Sequence, residues 1–210
     1  MGAGVQFRVL GPFEVLRDDA PVALGGAQAR ALLAVLLLHR GEVVSADRLI
    51  DALWPERPPA TAAKTVQVYV SRLRRVLGDG LLATRGSGYA LTVEPEAVDA
   101  DRFRSLASEA RGELEAGDAR RAATLLAEAL GLWRGPPLAE FAYAPFAQAE
   151  IARLEEARLA ALEARIEAEL ELGRHSALVS ELEGLVREHP LRERLQAQLM
   201  LALYRSGRQA

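Results

Sequence analysis

The stretch of this 210-residue sequence best suited to chemistry is residues 59–78, PATAAKTVQVYVSRLRRVLG. On a helix turning about 100° per residue, its apolar residues share one face: Val66, Val70, Leu73 and Leu77, with Tyr69 and Val76 at the edge. The opposite face contains Lys64, Gln67, Val68, Ser71 and Arg75, flanked by Arg72 and Arg74. No acid occurs between Ala60 and Gly78. Because amphipathic helices normally mix charge signs on the wet face, four cations without a counter-charge indicate a polyanionic partner.

Short predicted strands and helices, separated by turn residues, precede this basic helix, and a predicted hairpin follows it. The pieces FRVL, FEVL and PVAL alternate as short strands do and predict a small antiparallel sheet. Leucines at helical spacing predict a helix over 27–39, and Ser45 is suited to be the N-cap of a short helix ended by Pro55. After the basic helix, LLATR and YALTV flank Gly86-Ser87-Gly88, which predicts a hairpin over 81–93.

Sheet, three helices and a hairpin directly after a basic helix form the order of a winged helix-turn-helix. The run KTVQVYVSRLRRVL followed by ATRGSGYAL resembles the recognition helix and wing of the OmpR/PhoB-type DNA-binding domain, over roughly residues 5–93. The resemblance implies a helix over 60–77 in the major groove, with Lys64, Ser71, Arg72, Arg74 and Arg75 near DNA and Arg85 on the wing. That family often has a third cation at the position of Ser71. Gln67, Val68 and Ser71, the uncharged residues of that face, are expected to select the base sequence. Val68, an apolar residue on the wet face, is suited to contact a thymine methyl group.

Simpler interpretations of these residues stay open at this point. Arginines near a helix C-terminus, such as Arg74 and Arg75, also cap carbonyl groups and interact favourably with the helix dipole. Arg85 in a glycine-flanked turn is compatible with a soluble loop tip. Trp54 is expected to be a core or loop-packing residue rather than a base-stacking platform.

Beyond Pro95 the sequence consists almost entirely of helix-forming residues. Gly173 and Gly207 break it at a step of 34, the period of tetratricopeptide helix pairs. Gly117 lies 56 residues before Gly173, which is more than the period of 34. The insert RGPPLAEFAYAPF and its extension account for the additional residues. The fold predicted is mostly α with small β: a winged helix over 1–95 and an all-α, tetratricopeptide-like domain over 96–210. Four aromatic residues are expected to staple the insert: Trp133, Phe141, Tyr143 and Phe146.

The two halves together resemble a family. A winged helix followed by DADRFRSLASEAR, EALGLWRGPPLAEF and LRERLQAQLMLALYRSGRQA resembles the SARP or AfsR/EmbR-type regulators, which carry a bacterial transcriptional activation domain (BTAD). The resemblance implies a DNA-binding transcriptional activator of actinobacterial type, with double-stranded DNA, in direct repeats, as one partner. It also implies contacts with RNA polymerase or other transcription machinery, and a homodimer. In this family the helical domain continues for several helices, so the sequence is expected to be either truncated at its C-terminus or a natural short form whose final helix is covered by something else.

Composition and motifs exclude several classes of protein. The sequence contains no cysteine, no apolar run long enough to span a membrane and no signal-peptide pattern, so we expect a cytoplasmic protein without disulfides. There is no phosphate-binding loop, and the three histidines, His39, His175 and His189, are far apart. The sequence therefore predicts no enzyme, no cofactor and no metal.

One alternative function comes from the charge distribution. Residues 1–95 carry 11 Lys and Arg against 9 Asp and Glu, whereas residues 96–210 carry 15 against 20. The acidic and larger second part is compatible with a helical-repeat interaction module whose winged helix binds protein. A protein-binding wing would be expected to carry mixed charges and exposed aromatic residues, and this wing has Arg85 with Gly and Ser.

Overall fold

The computed structural model describes residues 4–78 and 80–207. Contacts within the chain divide it into two compact units, described separately below. The first unit comprises the residues up to Arg102 together with Trp133–Leu154, and the second comprises Phe103–Leu132 and the residues from Glu155 onward.

The first unit begins with the predicted antiparallel sheet, in the order β1 (Val5–Arg8), β2 (Glu14–Arg17) and β3 (Ala20–Pro21). Asp18 and Asp19 connect β2 to β3, and both have positive φ, of 52° and 61°. This is the geometry of a two-residue hairpin turn, in which aspartate is tolerated.

Three helices follow, as predicted: α1 (Ala27–Leu38), α2 (Ala46–Leu53) and α3 (Ala62–Leu77). Leu32, Leu33, Leu36 and Leu37 of α1 are buried because this helix packs against both α2 and α3. The side chain of Ser45 accepts a hydrogen bond from the amide of Arg48, which confirms it as the N-cap of α2.

The second sheet has the order β4-β6-β5 and contains the predicted hairpin, formed by β5 (Leu82–Arg85) and β6 (Gly88–Leu91). The third strand, β4 (Val44–Ser45), was not predicted, since two residues are too few to show an alternating pattern. It pairs with β6 through Val44 opposite Tyr89 and Ser45 opposite Gly88. The end of the hairpin next to its turn is thereby joined to the start of α2.

Residues 133–154 belong to the first unit, although they lie far along the chain. The ring of Phe141 packs at 5.8 Å from that of Phe13 and at 5.5 Å from that of Phe146. The backbone amide of Leu138 donates to the carbonyl of Val9 at 2.8 Å. The prediction that Tyr143 helps to staple this segment is wrong. Tyr143 is 99% exposed, because it lies in the turn between two 3-10 helices, Ala139–Phe141 and Pro145–Ala147.

The remaining helices are α4 (Asp99–Glu115), α5 (Ala119–Gly131), α6 (Gln148–Glu171), α7 (His175–Glu188) and α8 (Glu193–Arg205). The first residues of α4 and α6 belong to the first unit. The breaks predicted at Gly117, Gly173 and Gly207 are confirmed, with φ of 84°, 81° and 69°, the left-handed conformation that ends helices.

One hydrophobic cluster of the second unit lies where α6, α7 and α8 meet. It contains Leu159, Ile166, Leu170, Leu178, Val179, Leu182, Leu195 and Ala202. The predicted division at residues 95 and 96 remains a prediction, since the compact units follow contacts rather than chain order. Within the described residues, no helix is both long enough and apolar enough to cross a membrane.

Candidate nucleic-acid interface

The two faces of α3 differ as its sequence predicts. The buried face contains Ala62, Val66, Val70, Leu73 and Leu77. The predicted interface residues with exposed side chains are Lys64, Gln67, Val68, Ser71, Arg72 and Arg75. Val68 is 41% exposed although its side chain is apolar and β-branched. Burial in the core therefore does not explain Val68.

The exposed face of α3 is electropositive. The helix contains no carboxylate, its first turn has no acidic residue, and Arg74 and Arg75 lie in its last turn. In the described part of the chain, no carboxylate forms an ion pair with Lys64, Arg72 or Arg75. These charges are directed to solvent and are available to an external anion.

The hairpin of β5 and β6 stands directly after this helix. Its register pairs Leu82 with Leu91 and Arg85 with Gly88, so that Arg85 is the last residue of β5 before the turn. Arg85 is exposed, and Gly86 in the turn has φ of 55°. A cation at the tip of a hairpin is the arrangement by which a wing contacts nucleic acid beside the major groove.

Gly88 fixes the hairpin to β4. A β-carbon at this position would lie 2.3 Å from the carbonyl oxygen of Val44 and 3.0 Å from the Cγ1 atom of Val43. Glycine is required here because the two strands approach closely, and not because of its φ.

Arg74 differs from the other predicted residues. Its side chain is half-buried and donates from Nε to the carbonyl of Leu82 at 2.8 Å and from Nη2 to the hydroxyl of Thr84 at 2.6 Å. Leu82 and Thr84 follow Arg74 at distances of 8 and 10 residues without a periodic pattern, so sequence reasoning missed them as acceptors. That the eight predicted residues contact DNA remains a prediction.

In the described residues, no group of three or more His, Asp or Glu side chains is arranged to hold a metal ion. What the geometry presents is an acid-free helix, third in a three-helix arrangement and followed by a cationic hairpin. This is a winged helix-turn-helix unit of the DNA-binding class.

Comparison with known proteins assigns the family. Residues 20–91 match the family described as transcriptional regulatory protein, C terminal, and residues 98–210 match the family described as bacterial transcriptional activator domain. The chain belongs to the SARP family of regulators, which combine an OmpR-type winged helix with a BTAD. Members of this family are transcriptional regulators and not enzymes.

Individual relatives agree with this assignment. The chain is 46% identical over 206 residues to the regulatory protein AfsR of Streptomyces griseus, covering 98% of this chain and 21% of AfsR. It is 38% identical over 215 residues to the regulatory protein DnrI of Streptomyces peucetius, covering 97% of this chain and 79% of DnrI.

A solved structure is also similar, that of Mycobacterium tuberculosis EmbR in complex with a low-affinity phosphopeptide. The TM-score is 0.92 at 38% identity, covering 97% of this chain and 55% of that of EmbR. The chain therefore spans only part of the length of several relatives, from about a fifth of AfsR to about half of EmbR.

Proposed function

We propose that this protein is a sequence-specific, double-stranded-DNA-binding transcriptional activator, with α3 in the major groove and the hairpin 81–93 as the wing. The observation that carries the proposal is the exposed, acid-free face of α3. A helix of this kind fits the major groove, where phosphates flank the base edges.

Within this proposal the cations and the uncharged residues have different roles. Lys64, Arg72 and Arg75 neutralise phosphates and set the position of the helix, as most basic contacts in such complexes do. Gln67, Val68 and Ser71 lie on the same exposed face and read base edges. Arg85 contacts the backbone or the minor groove beside the site.

The test is the salt dependence of binding to a duplex selected from random or genomic DNA. With about four phosphate contacts per protomer, from Lys64, Arg72, Arg75 and Arg85, the slope of log K against log salt is expected to be about −3.6. The selected duplex should bind more tightly than a scrambled duplex of the same length and composition. A slope near zero on both duplexes would contradict the proposal and favour a winged helix that binds protein.

The partners of the complete regulator belong to this proposal as well. RNA polymerase or another part of the transcription machinery is proposed as a partner, because the second matched family is described as an activator domain. A cytoplasmic location follows, since bacterial promoter DNA lies there. Purified polymerase should bind a duplex carrying the selected site more tightly when this protein is present, and an unchanged affinity would contradict the activator role.

A homodimer on direct repeats is the remaining part of the proposal. Sedimentation of the protein with duplexes carrying one or two copies of the selected site tests it. Two protomers should bind the double site with higher affinity than two independent single sites, and independent binding would contradict the dimer.

A further inference from the structure

The side chain of Arg74 connects α3 to the wing. Its Nε donates to the Leu82 carbonyl at 2.8 Å and its Nη2 to the Thr84 hydroxyl at 2.6 Å. Both acceptors belong to β5, the strand that ends at Arg85. The guanidinium group of Arg74, on the proposed recognition helix, thus bonds two residues that are two positions apart in β5. The same strand carries Arg85, the cation of the wing.

These contacts are made at the open edge of the sheet. β5 is an outer strand in the order β4-β6-β5, so only one of its edges pairs with another strand. The carbonyl of Leu81, just before β5, points toward the β6 side of the hairpin, where it accepts from the amide of Thr92 at 2.8 Å. Because carbonyl directions alternate along a strand, the Leu82 carbonyl points to the open edge, where Arg74 meets it.

The opposite edge of the hairpin is held by backbone bonds. The amide of Gly41 donates to the carbonyl of Leu91 at 2.9 Å, and the amide of Ala46 donates to the carbonyl of Ser87 at 3.2 Å. These bonds fix β6 and the turn. β5 is held by its pairing with β6, by the buried side chain of Leu82 and, at its open edge, by Arg74. Through Arg74, α3 therefore bonds directly to the strand ending at Arg85.

We infer that Arg74 is a positioning residue, which holds the wing against α3 and so places Arg85 for its contact with DNA. The inference rests on the proposed function and changes the role of one residue in it. Arg74 acts through Arg85, and its charge is not used to neutralise a phosphate. The planar fork of arginine suits this role, because lysine has no second nitrogen in a fixed direction to bond a carbonyl and a hydroxyl together.

The experiment compares Arg74→Ala, Arg74→Lys, Thr84→Val, Arg85→Ala and the double variant Arg74→Ala/Arg85→Ala, using the selected duplex as probe. Without the guanidinium group of Arg74, the wing must become ordered when DNA binds. Arg74→Ala should therefore weaken binding about two- to tenfold, which corresponds to the free-energy cost of ordering one mobile side chain. Arg74→Lys should lose nearly as much despite its charge. Thr84→Val, which removes one acceptor at nearly constant shape, should lose less in the same direction.

Two readouts distinguish positioning from a direct contact. The salt slope of Arg74→Ala should equal that of the wild type, whereas Arg75→Ala, the matched variant of an exposed arginine, should make the slope shallower by about 0.9. In the Arg85→Ala background, adding Arg74→Ala should weaken binding no further, because the residue that it positions is gone. A shallower salt slope for Arg74→Ala than for the wild type would overturn the inference. So would an equal loss of affinity when Arg74→Ala is introduced into the wild type and into Arg85→Ala.

A measurement without DNA separates this inference from the proposed function. Backbone amide order parameters of residues 82–85 in the free protein should fall in Arg74→Ala, while those of α1 stay unchanged. Unchanged order in the hairpin would overturn the positioning role even if the wild type binds DNA. A mobile hairpin in a protein whose wild type fails to bind any selected duplex would support positioning and contradict the proposed function.

Discussion

Arg134 donates from Nη1 to the carboxylate of Glu14 at 2.8 Å and so joins the segment before α6 to strand β2. The backbone amide of Arg134 also donates to the carbonyl of Leu10 at 2.7 Å. Its Nη2 lies 3.4 Å from Asp99, whose two oxygens accept from the amides of Val9 and Leu10 at 2.8 and 3.1 Å. The connection between β1 and β2 is therefore completed by Asp99 and Arg134, which lie far along the chain from it.

The first prediction concerns this connection. Replacing Arg134 by Ala should lower the free energy of unfolding by about 1–3 kcal/mol, since it leaves the carboxylate of Asp99 without its cationic partner. Only 10% of the Asp99 side chain is exposed, so water replaces the lost partner poorly. Urea unfolding followed by circular dichroism measures the change.

Arg153→Ala is the matched control for Arg134→Ala. Arg153 pairs with Glu150 one helical turn away, and 61% of its side chain is exposed. Its loss should change the free energy of unfolding by less than about 0.5 kcal/mol. Equal effects of the two variants would mean that the ion pairs of Arg134 do not stabilise the connection between β1 and β2.

The second prediction compares Gly88, which has no room for a β-carbon, with Gly112, which has open space around it. Gly88→Ala should destabilise the wing by at least about 2 kcal/mol, because the added β-carbon would overlap the backbone of Val44. Gly112→Ala should instead stabilise the protein by about 0.5–1 kcal/mol, since Gly112 lies inside α4 with open space around it. Thermal unfolding of both variants provides the comparison, and a neutral Gly88→Ala would contradict the close approach of β4 and β6.

The sequence predicted the elements with strong periodicity and missed the contacts that link distant segments. The burial of Val66, Val70 and Leu73 follows from helical spacing alone. The acceptors of Arg74 and the partners of Arg134 follow from tertiary packing, which no local pattern encodes. Tyr143 was misplaced for the same reason, because an aromatic residue in an apolar insert looks buried until the turn that presents it is known.

The third prediction concerns His39 and pH. Burial, followed by the nearby Arg48 guanidinium, lowers the pKa of His39, and Glu42 acts in the opposite direction. Arg48 can only donate, so the Nε2 atom of His39, 3.0 Å from Nη2, accepts and the ring proton is on Nδ1. Because the folded state binds this proton less readily than the unfolded state does, the protein loses stability as the pH falls through the unfolded value of 6.5.

Comparison with His39→Gln isolates this effect. Urea unfolding of both proteins between about pH 8 and about pH 5 should show the wild type losing more stability than the variant over that range. The difference between the two curves cancels the contributions of the other titrating groups. A variant whose acid loss equals or exceeds that of the wild type would contradict the lowered pKa.

The fourth prediction concerns base selection by Val68, which rests on the proposed function. Val68 is an apolar side chain on the exposed face of α3, and the C5-methyl group of thymine is the apolar feature of the major groove. Val68→Ala should weaken binding to the selected duplex about fivefold, as expected for a lost methyl contact of roughly 1 kcal/mol. Lys64→Ala should weaken binding to selected and scrambled duplexes alike, because a phosphate contact carries no base preference.

Replacing single thymines of the selected duplex by deoxyuridine identifies the contacted base, since uracil pairs as thymine does but lacks the methyl group. At one position the replacement should weaken binding of the wild type by the same factor as Val68→Ala. The combination of that duplex with Val68→Ala should then show no further loss, because the two changes remove the same contact from opposite sides. If every replacement weakens the wild type and Val68→Ala equally, Val68 does not read thymine, and base selection by α3 would have to come from Gln67 and Ser71.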